Sequence, residues 1–257
     1  MNILETAAHT HSPYLHPGGE TMTRVLIEKL ALKPGKLVLE MGCGTGATAM
    51  QVAAITRARV VAFDQLASML AVAESRFRRG GTPHTVSLLA ANADAPFPFQ
   101  DAVFDAVYAE SVLALTRVPP VFREIVRILH PGGKLILNER IWKPDVTAEE
   151  AAHINHLSQK YFGIPAATAH PWNRKDWLAL LREAGFVDLN AALVENFVPA
   201  NHQRHLRLPQ RLTHFRQHLT HPATYIRNLQ FRFLGKRYKK IWGRMEAVLF
   251  IGRKADG

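Results

Sequence analysis

One cysteine is all that this chain of 257 residues contains. Cys43 therefore excludes an internal disulfide and any metal centre built from several thiolates. Long apolar runs are missing too. Nowhere do about 18 apolar residues run together, which argues against a membrane-spanning helix. The start, Met1-Asn2-Ile3-Leu4-Glu5, has no basic stretch leading into an apolar one, so no secretory signal is expected. The expected location is the cytoplasm.

Acidic residues are absent from one long segment. Between 199 and 244 there is no Asp or Glu. Arg204, Arg207, Arg211, Arg216, Arg227, Arg232, Arg237 and Arg244 lie there with Lys236, Lys239 and Lys240. The formal charge of +11 belongs to that segment, because 21 basic residues face 21 acidic ones in the rest. Three functions suit such a stretch: a lid over a lipophilic or anionic ligand, peripheral contact with an anionic membrane at its inner face, or nucleic-acid binding. The plain alternative is a solvated basic face on helices packed over the domain. His214 and His218 stand at metal-ligand spacing, but no carboxylate or cysteine lies near, so no metal is expected.

What the chain does have is alternation of strand and helix patterns. Strands are predicted at 36–41, 59–63, 85–89, 104–109, 134–137, 186–198 and 245–253. Helices are predicted at 21–32 (N-capped by Thr21), 45–54, 65–79, 119–129 and 174–184. Alternation of this kind makes an α/β fold with a mostly parallel sheet and helices on both faces. Residues 1–20, rich in His, Pro and Gly, read as an irregular arm. Residues 21–257 form the domain, with inserts at about 142–173 and 199–244.

The chemistry starts at Val38-Leu39-Glu40-Met41-Gly42-Cys43-Gly44-Thr45-Gly46, a strand, a glycine turn and a helix N-terminus. Glycines let a ligand approach the backbone, and helix-end N–H groups face it. Two readings compete. Gly42, Gly44 and Ala47 fit a dinucleotide fingerprint, with Asp64 at the distance of a ribose-binding acid. Alternatively, Glu40 and the glycines at 42, 44 and 46 form an acidic-x-Gly-x-Gly-x-Gly loop. A carboxylate at the strand end repels a pyrophosphate and suits an ammonium or sulfonium. The loop alone leaves both open.

Three further blocks follow in order: Val60-Val61-Ala62-Phe63-Asp64; Ala93-Asp94-Ala95-Pro96-Phe97-Pro98-Phe99 running into Phe104-Asp105-Ala106-Val107; and Leu129-His130-Pro131-Gly132-Gly133-Lys134-Leu135. With these the chain resembles the class I S-adenosylmethionine (SAM)-dependent methyltransferases, in the type-11 group that includes the ubiquinone and menaquinone methyltransferases. The likeness covers roughly residues 20–140 and the final hairpin. It implies a Rossmann-like, doubly wound seven-stranded sheet with an antiparallel last strand, and helical cap inserts. It implies SAM as cofactor and S-adenosylhomocysteine as product.

The resemblance also implies roles. Gly42, Cys43, Gly44 and Gly46 lie against the methionine part, with Glu40 near its ammonium. Asp64, with Gln65 beside it, takes the ribose hydroxyls; its alternative is a helix cap for residues 66–78. Asp94 takes the adenine amine, with Asn92, Ala93 and the Ala95 N–H around it; its alternative is a surface turn. Asp105 is expected to support the fold. Glu110 and Ser111 close the fourth strand at the ligand edge. For a base, should the acceptor have to lose a proton, Glu110 and His16 are the candidates, with His11, His153, His156 and His170 behind them. Acceptor contacts are expected from Tyr14, His16, Ser111, Arg140, His153 and His156, with residues 14–19 as a lid.

The expected activity is methyl transfer to a small lipophilic or anionic acceptor such as a quinol, phenol, isoprenoid or lipid-like acid. One alternative is an RNA or DNA methyltransferase. Against it, the fourth strand ends Tyr108-Ala109-Glu110-Ser111 rather than in the Asn/Asp-Pro-Pro-aromatic block used on base amines, and Cys43 lies in the cofactor loop. The other alternative is a non-catalytic SAM-binding protein. The cysteine count excludes arsenic methylation.

Overall fold

The structure, a computed structural model, describes residues 2–81, 85–196, 226–227, 229–231, 233–234 and 242–256. His214 and His218 lie outside the described residues, as does most of the basic segment.

Central strands of a parallel sheet are buried on both faces and so read as continuous apolar runs. β1 (Leu37–Met41) and β4 (Phe104–Glu110) do so. They sit side by side in a seven-stranded sheet completed by β2 (Arg59–Asp64), β3 (Val86–Ala90), β5 (Leu129–Trp142), β6 (Phe186–Leu193) and β7 (Met245–Lys254). The order is β3-β2-β1-β4-β5-β7-β6. The first five strands run parallel, and β7 is antiparallel to both neighbours. Strand order reverses between β1 and β4, the point where open α/β sheets bind ligands at the strands' carboxyl ends.

Helices cover both faces. α5 (Val118–Ile128) buries Val118, Val121, Phe122, Ile125 and Ile128, one face at helical spacing. It packs with α7 (Arg174–Ala184), whose Trp177 meets Phe122 edge-on at 5.9 Å and stacks on Phe250 at 5.4 Å. α2 (Gly19–Leu30), α3 (Ala47–Thr56) and α4 (Ala67–Gly80) cover the other face around Met22, Leu26, Val52 and Phe77. Asp105 does structural work at the opposite end of the sheet, accepting from Leu37 N and Lys36 Nζ at 2.8 Å each.

Several sequence expectations need correction. The arm is not irregular throughout: α1 (Ile3–His9) begins with a reciprocal capping box between Asn2 and Glu5. Its Ala7 and Ala8 pack on Met69 of α4. α2 is capped at Gly18 rather than Thr21. β5 is far longer than 134–137, because pairing resumes after a register shift opposite Phe104 and Ala106 and runs on to Trp142. β6 stops at Leu193, where a 3-10 turn begins. The insert at 142–173 contains a full helix, α6 (Ala148–Phe162), capped by Thr147.

A half-buried arginine ties the arm down. Arg76 of α4 donates to Thr45 Oγ1 (2.9 Å) and to the His11 carbonyl (3.1 Å), while Thr45 Oγ1 donates to the Ser12 carbonyl at 2.7 Å. Arg76→Ala is expected to cost about 1–2 kcal/mol and to expose the bonds around residues 9–14 to limited proteolysis. An unchanged digestion pattern would show that the apolar contacts of α1 suffice.

Candidate active site

At the carboxyl edge of the sheet lies a cavity of about 500 Å³, open to one side. Glu40, Gly42, Cys43, Gly44, Asp64, Gln65, Asn92, Ala93, Glu110, Ser111, His16 and Arg140 line it. Six expected residues do not. Gly46 is the N-cap of α3 and faces Phe77 and Ala73. Tyr14 bonds its hydroxyl to Gln51, and burial raises its pKa to about 12. His153 and His156 sit on the exposed face of α6, whose other face supplies Ser158 and Phe162 to the cavity. Asp94 turns away, accepting from Arg117 N at 2.7 Å, and the Ala95 N–H is taken by the Asn92 carbonyl at 3.1 Å. Of the secondary base candidates, His11 and His170 are exposed and also lie off the cavity wall.

Glycine is required in the loop for two different reasons. At Gly42 (φ +68°) a Cβ would stand 2.4 Å from Val112 Cγ2. At Gly44 (φ +51°) it would meet no atom within 4 Å, so the backbone there faces open cavity. Cys43 between them is buried, and that burial, followed by the charges of Glu40 and Asp64, pushes its thiol pKa up. It is therefore a protonated packing residue.

The carboxylates divide into held and unheld. Asp64 accepts from Gly44 N and Leu66 N at 2.9 Å each. Burial raises its pKa, and these backbone N–H groups work against the rise. It is not the cap of α4, which starts from Leu66 with no side-chain cap. Glu40 is fully buried at the end of β1, and its Oε2 has no hydrogen-bond partner among the described residues. Burial, then the Glu110 charge, drives its pKa well up.

Glu110 belongs to a closed ring. Its Oε2 accepts from Thr48 Oγ1 at 2.9 Å; Thr48 lies 3.3 Å from Thr23 Oγ1, and Thr23 lies 3.3 Å from His16 Nε2. His16 Nδ1 returns to Glu110 Oε1 at 3.2 Å. The Nδ1 atom also faces the Pro17 carbonyl at 3.2 Å. The donor amide of Asn138 lies 3.2 Å from the same nitrogen. Asn138 Nδ2 adds bonds to the Pro17 carbonyl and Glu110 Oε1. The ring fastens the arm to β4, α2 and α3.

Sequence reasoning missed Glu139 at the end of β5. Its Oε1 accepts from Val112 N (2.9 Å) and Leu113 N (3.1 Å), holding the turn after β4, where Ser111 has φ 59°. Burial raises its pKa to about 8. Its place at a strand end beside Glu110 was a usable signal; its backbone partners, 26 and 27 residues earlier, were not.

Comparison with known proteins decides the class. Residues 39–137 match a family model described as "Methyltransferase domain". A Bacillus subtilis protein named "Uncharacterized methyltransferase YodH" is 31% identical over 173 residues, covering 66% of this chain and 68% of that one. The chain belongs to the SAM-dependent methyltransferases. Within that family, the "O-methyltransferase rstn1" of Aspergillus nomiae is 32% identical over 65% of this chain and 71% of its own. The fold also matches a Haemonchus contortus phosphoethanolamine N-methyltransferase 2 solved with SAM, with a TM-score of 0.72 and 19% identity. That match covers 99% of this chain and 57% of the other.

SAM suits the residues present. An open glycine backbone at 44, a buried carboxylate at Glu40 with its Oε2 unpartnered among the described residues, and the strand-end Asp64 offer a cationic amino acid and a ribose what each needs. Bound, SAM supplies a methyl group on a sulfonium, whose leaving group needs no activation. Asp64→Ala is expected to weaken S-adenosylhomocysteine binding at least about tenfold by calorimetry, the scale of one charged hydrogen-bonding partner. Unchanged affinity would reduce Asp64 to a brace for Gly44 and Leu66.

Proposed function

We propose that the protein transfers the methyl group of SAM to a small lipophilic or anionic molecule. The observation that carries this is the make-up of the cavity beyond the glycine loop. There Leu15, Phe162, Ile164, Pro165, Ala166 and Trp242 form an apolar wall interrupted by His16 and Arg140. Apolar walls with a few placed polar groups are how proteins hold small molecules. The names of the relatives, O-methyltransferase and phosphoethanolamine N-methyltransferase, support a small acceptor.

Two described pieces of the basic segment touch the same wall. Phe231 stacks on Phe162 at 5.5 Å, and Trp242 meets it edge-on at 5.4 Å. This favours the lid reading of the segment over nucleic-acid binding, and leaves peripheral membrane contact as a second role. The chain's part is to orient the acceptor, exclude water and, where a proton must leave, receive it at the His16–Glu110 dyad. Asp94 retains its proposed adenine role only if it exchanges Arg117 for the ligand.

The test is transfer of labelled methyl from SAM to quinols, phenols, isoprenoids and lipid-like acids, with total RNA as comparison. Label is expected on a small acceptor, with His16→Asn lowering kcat while S-adenosylhomocysteine affinity stays. Label confined to RNA would overturn the reading.

A further inference from the structure

Charge in the cavity is lopsided. Its described lining holds four carboxylates, Glu40, Asp64, Glu110 and Glu139, against one arginine, Arg140. Asp64, Glu110 and Glu139 accept hydrogen bonds from the protein, and Glu40 faces the cofactor half. Arg140 has no ion-pair or hydrogen-bond partner among the described residues. The other guanidiniums near this end are committed: Arg244 to Asp145 and Glu150, Arg76 to Thr45 and His11, Arg117 to Asp94. The Arg140 side chain is exposed at the cavity wall, where a ligand can meet it without first displacing a protein counter-ion.

Its position says which ligand. Arg140 lies near the end of β5, two strands from β1 and its glycine loop, a lateral offset of about 10 Å. It lines the same cavity as the apolar side chains Phe162, Ile164, Pro165 and Trp242. Resting on the methyl-transfer reading, we propose that the acceptor is an amphiphilic anion, its carboxylate or phosphate held by Arg140 and its apolar body laid along Phe162, Ile164, Pro165 and Trp242. A planar guanidinium forms paired, charge-assisted bonds to either oxyanion. The apolar wall supplies affinity without direction, and the arginine fixes which end of the acceptor points inward.

The test uses the full chain saturated with S-adenosylhomocysteine and three probes of equal chain length: decanoate, decan-1-ol and decyltrimethylammonium, with decyl phosphate as a second anion. Calorimetry is expected to give decanoate or decyl phosphate an affinity at least about tenfold above decan-1-ol, the gain of one charge-assisted pair. Decyltrimethylammonium is expected to bind weakest. Arg140→Gln should erase the preference for the anion and leave decan-1-ol and S-adenosylhomocysteine unchanged, and Arg140→Lys should keep part of it. Phe162→Ala should weaken anion and alcohol alike, placing both at the wall.

Equal binding of anion and alcohol, preference for the cation, or no binding of either anion overturns the proposal. So does a tenfold loss of S-adenosylhomocysteine affinity in Arg140→Gln, which would give the arginine to the cofactor's own carboxylate. Failure of S-adenosylhomocysteine to bind the unmodified protein would overturn the methyl-transfer reading itself, a separate and recognisable result.

Discussion

Gly42→Val is expected to cost about 3 kcal/mol or more of folding stability and to abolish measurable S-adenosylhomocysteine binding. Two effects combine. The residue sits at φ +68°, where a β-branched side chain is strained, and its Cβ would stand 2.4 Å from Val112 Cγ2 and 3.0 Å from Val112 Cγ1. Val112 has little room to retreat, since its backbone N–H is fastened to Glu139 and its turn follows the strained Ser111. The loop has to move instead, and it carries the cofactor-facing backbone with it. Gly44→Ala separates the two effects. It should cost only about 1 kcal/mol, the strain at φ +51°, yet weaken binding because its methyl group projects into open cavity. Urea denaturation and calorimetry on both variants check the pair. If Gly42→Val were as stable as the parent, the tight approach of β1 and β4 described above would be wrong.

Glu139→Gln should stabilise the protein in alkaline solution and leave it nearly unchanged in acid. The carboxyl's folded-state pKa is raised by burial from 4.5 to about 8. Folding therefore favours its protonated form. The stability this lends is complete below about pH 4.5 and is lost as pH rises towards 8, because the native state binds more protons than the unfolded one across that window. Full loss corresponds to a few kcal/mol, on the order of 5. Glutamine keeps an acceptor oxygen for the Val112 and Leu113 N–H groups and has no proton to lose. Thermal melts of the two proteins should thus nearly coincide at about pH 4 and diverge by several degrees at about pH 9, the variant higher. A variant less stable than the parent at pH 9 would mean that the ionised carboxylate is the form the turn prefers. Glu40 acts in the same direction at the opposite side of the cavity, so part of any alkaline loss will remain in Glu139→Gln.

Features set by local chemistry were legible before any coordinates. Strand, glycine turn and helix at 38–46 are adjacent in sequence, and each demands its neighbour. Asp64 ends a short β-branched run, so its place at the sheet edge followed from the run itself. Features set by distant partners were not legible. Asp94 turns to Arg117, 23 residues away, and no local pattern signals that choice. β5 runs on past Leu137 because β7 pairs with it from Lys134 to Trp142. α1 is too short for a clear periodicity, although Asn2 and Glu5 had the spacing of a capping box. His153 and His156 looked useful by residue type. The register of α6, fixed by burying Ala151, Ile154, Ser158 and Phe162, turns both to solvent.

Direct titration of the protein with S-adenosylhomocysteine, and separately with NAD, is the measurement closest to the centre of these conclusions. Saturable one-site binding of S-adenosylhomocysteine, displaced by SAM and absent for NAD, is expected from a loop in which Glu40 lines the cavity with its Oε2 unpartnered among the described residues. Binding of NAD with none of S-adenosylhomocysteine would contradict it and return the glycine turn to its dinucleotide reading.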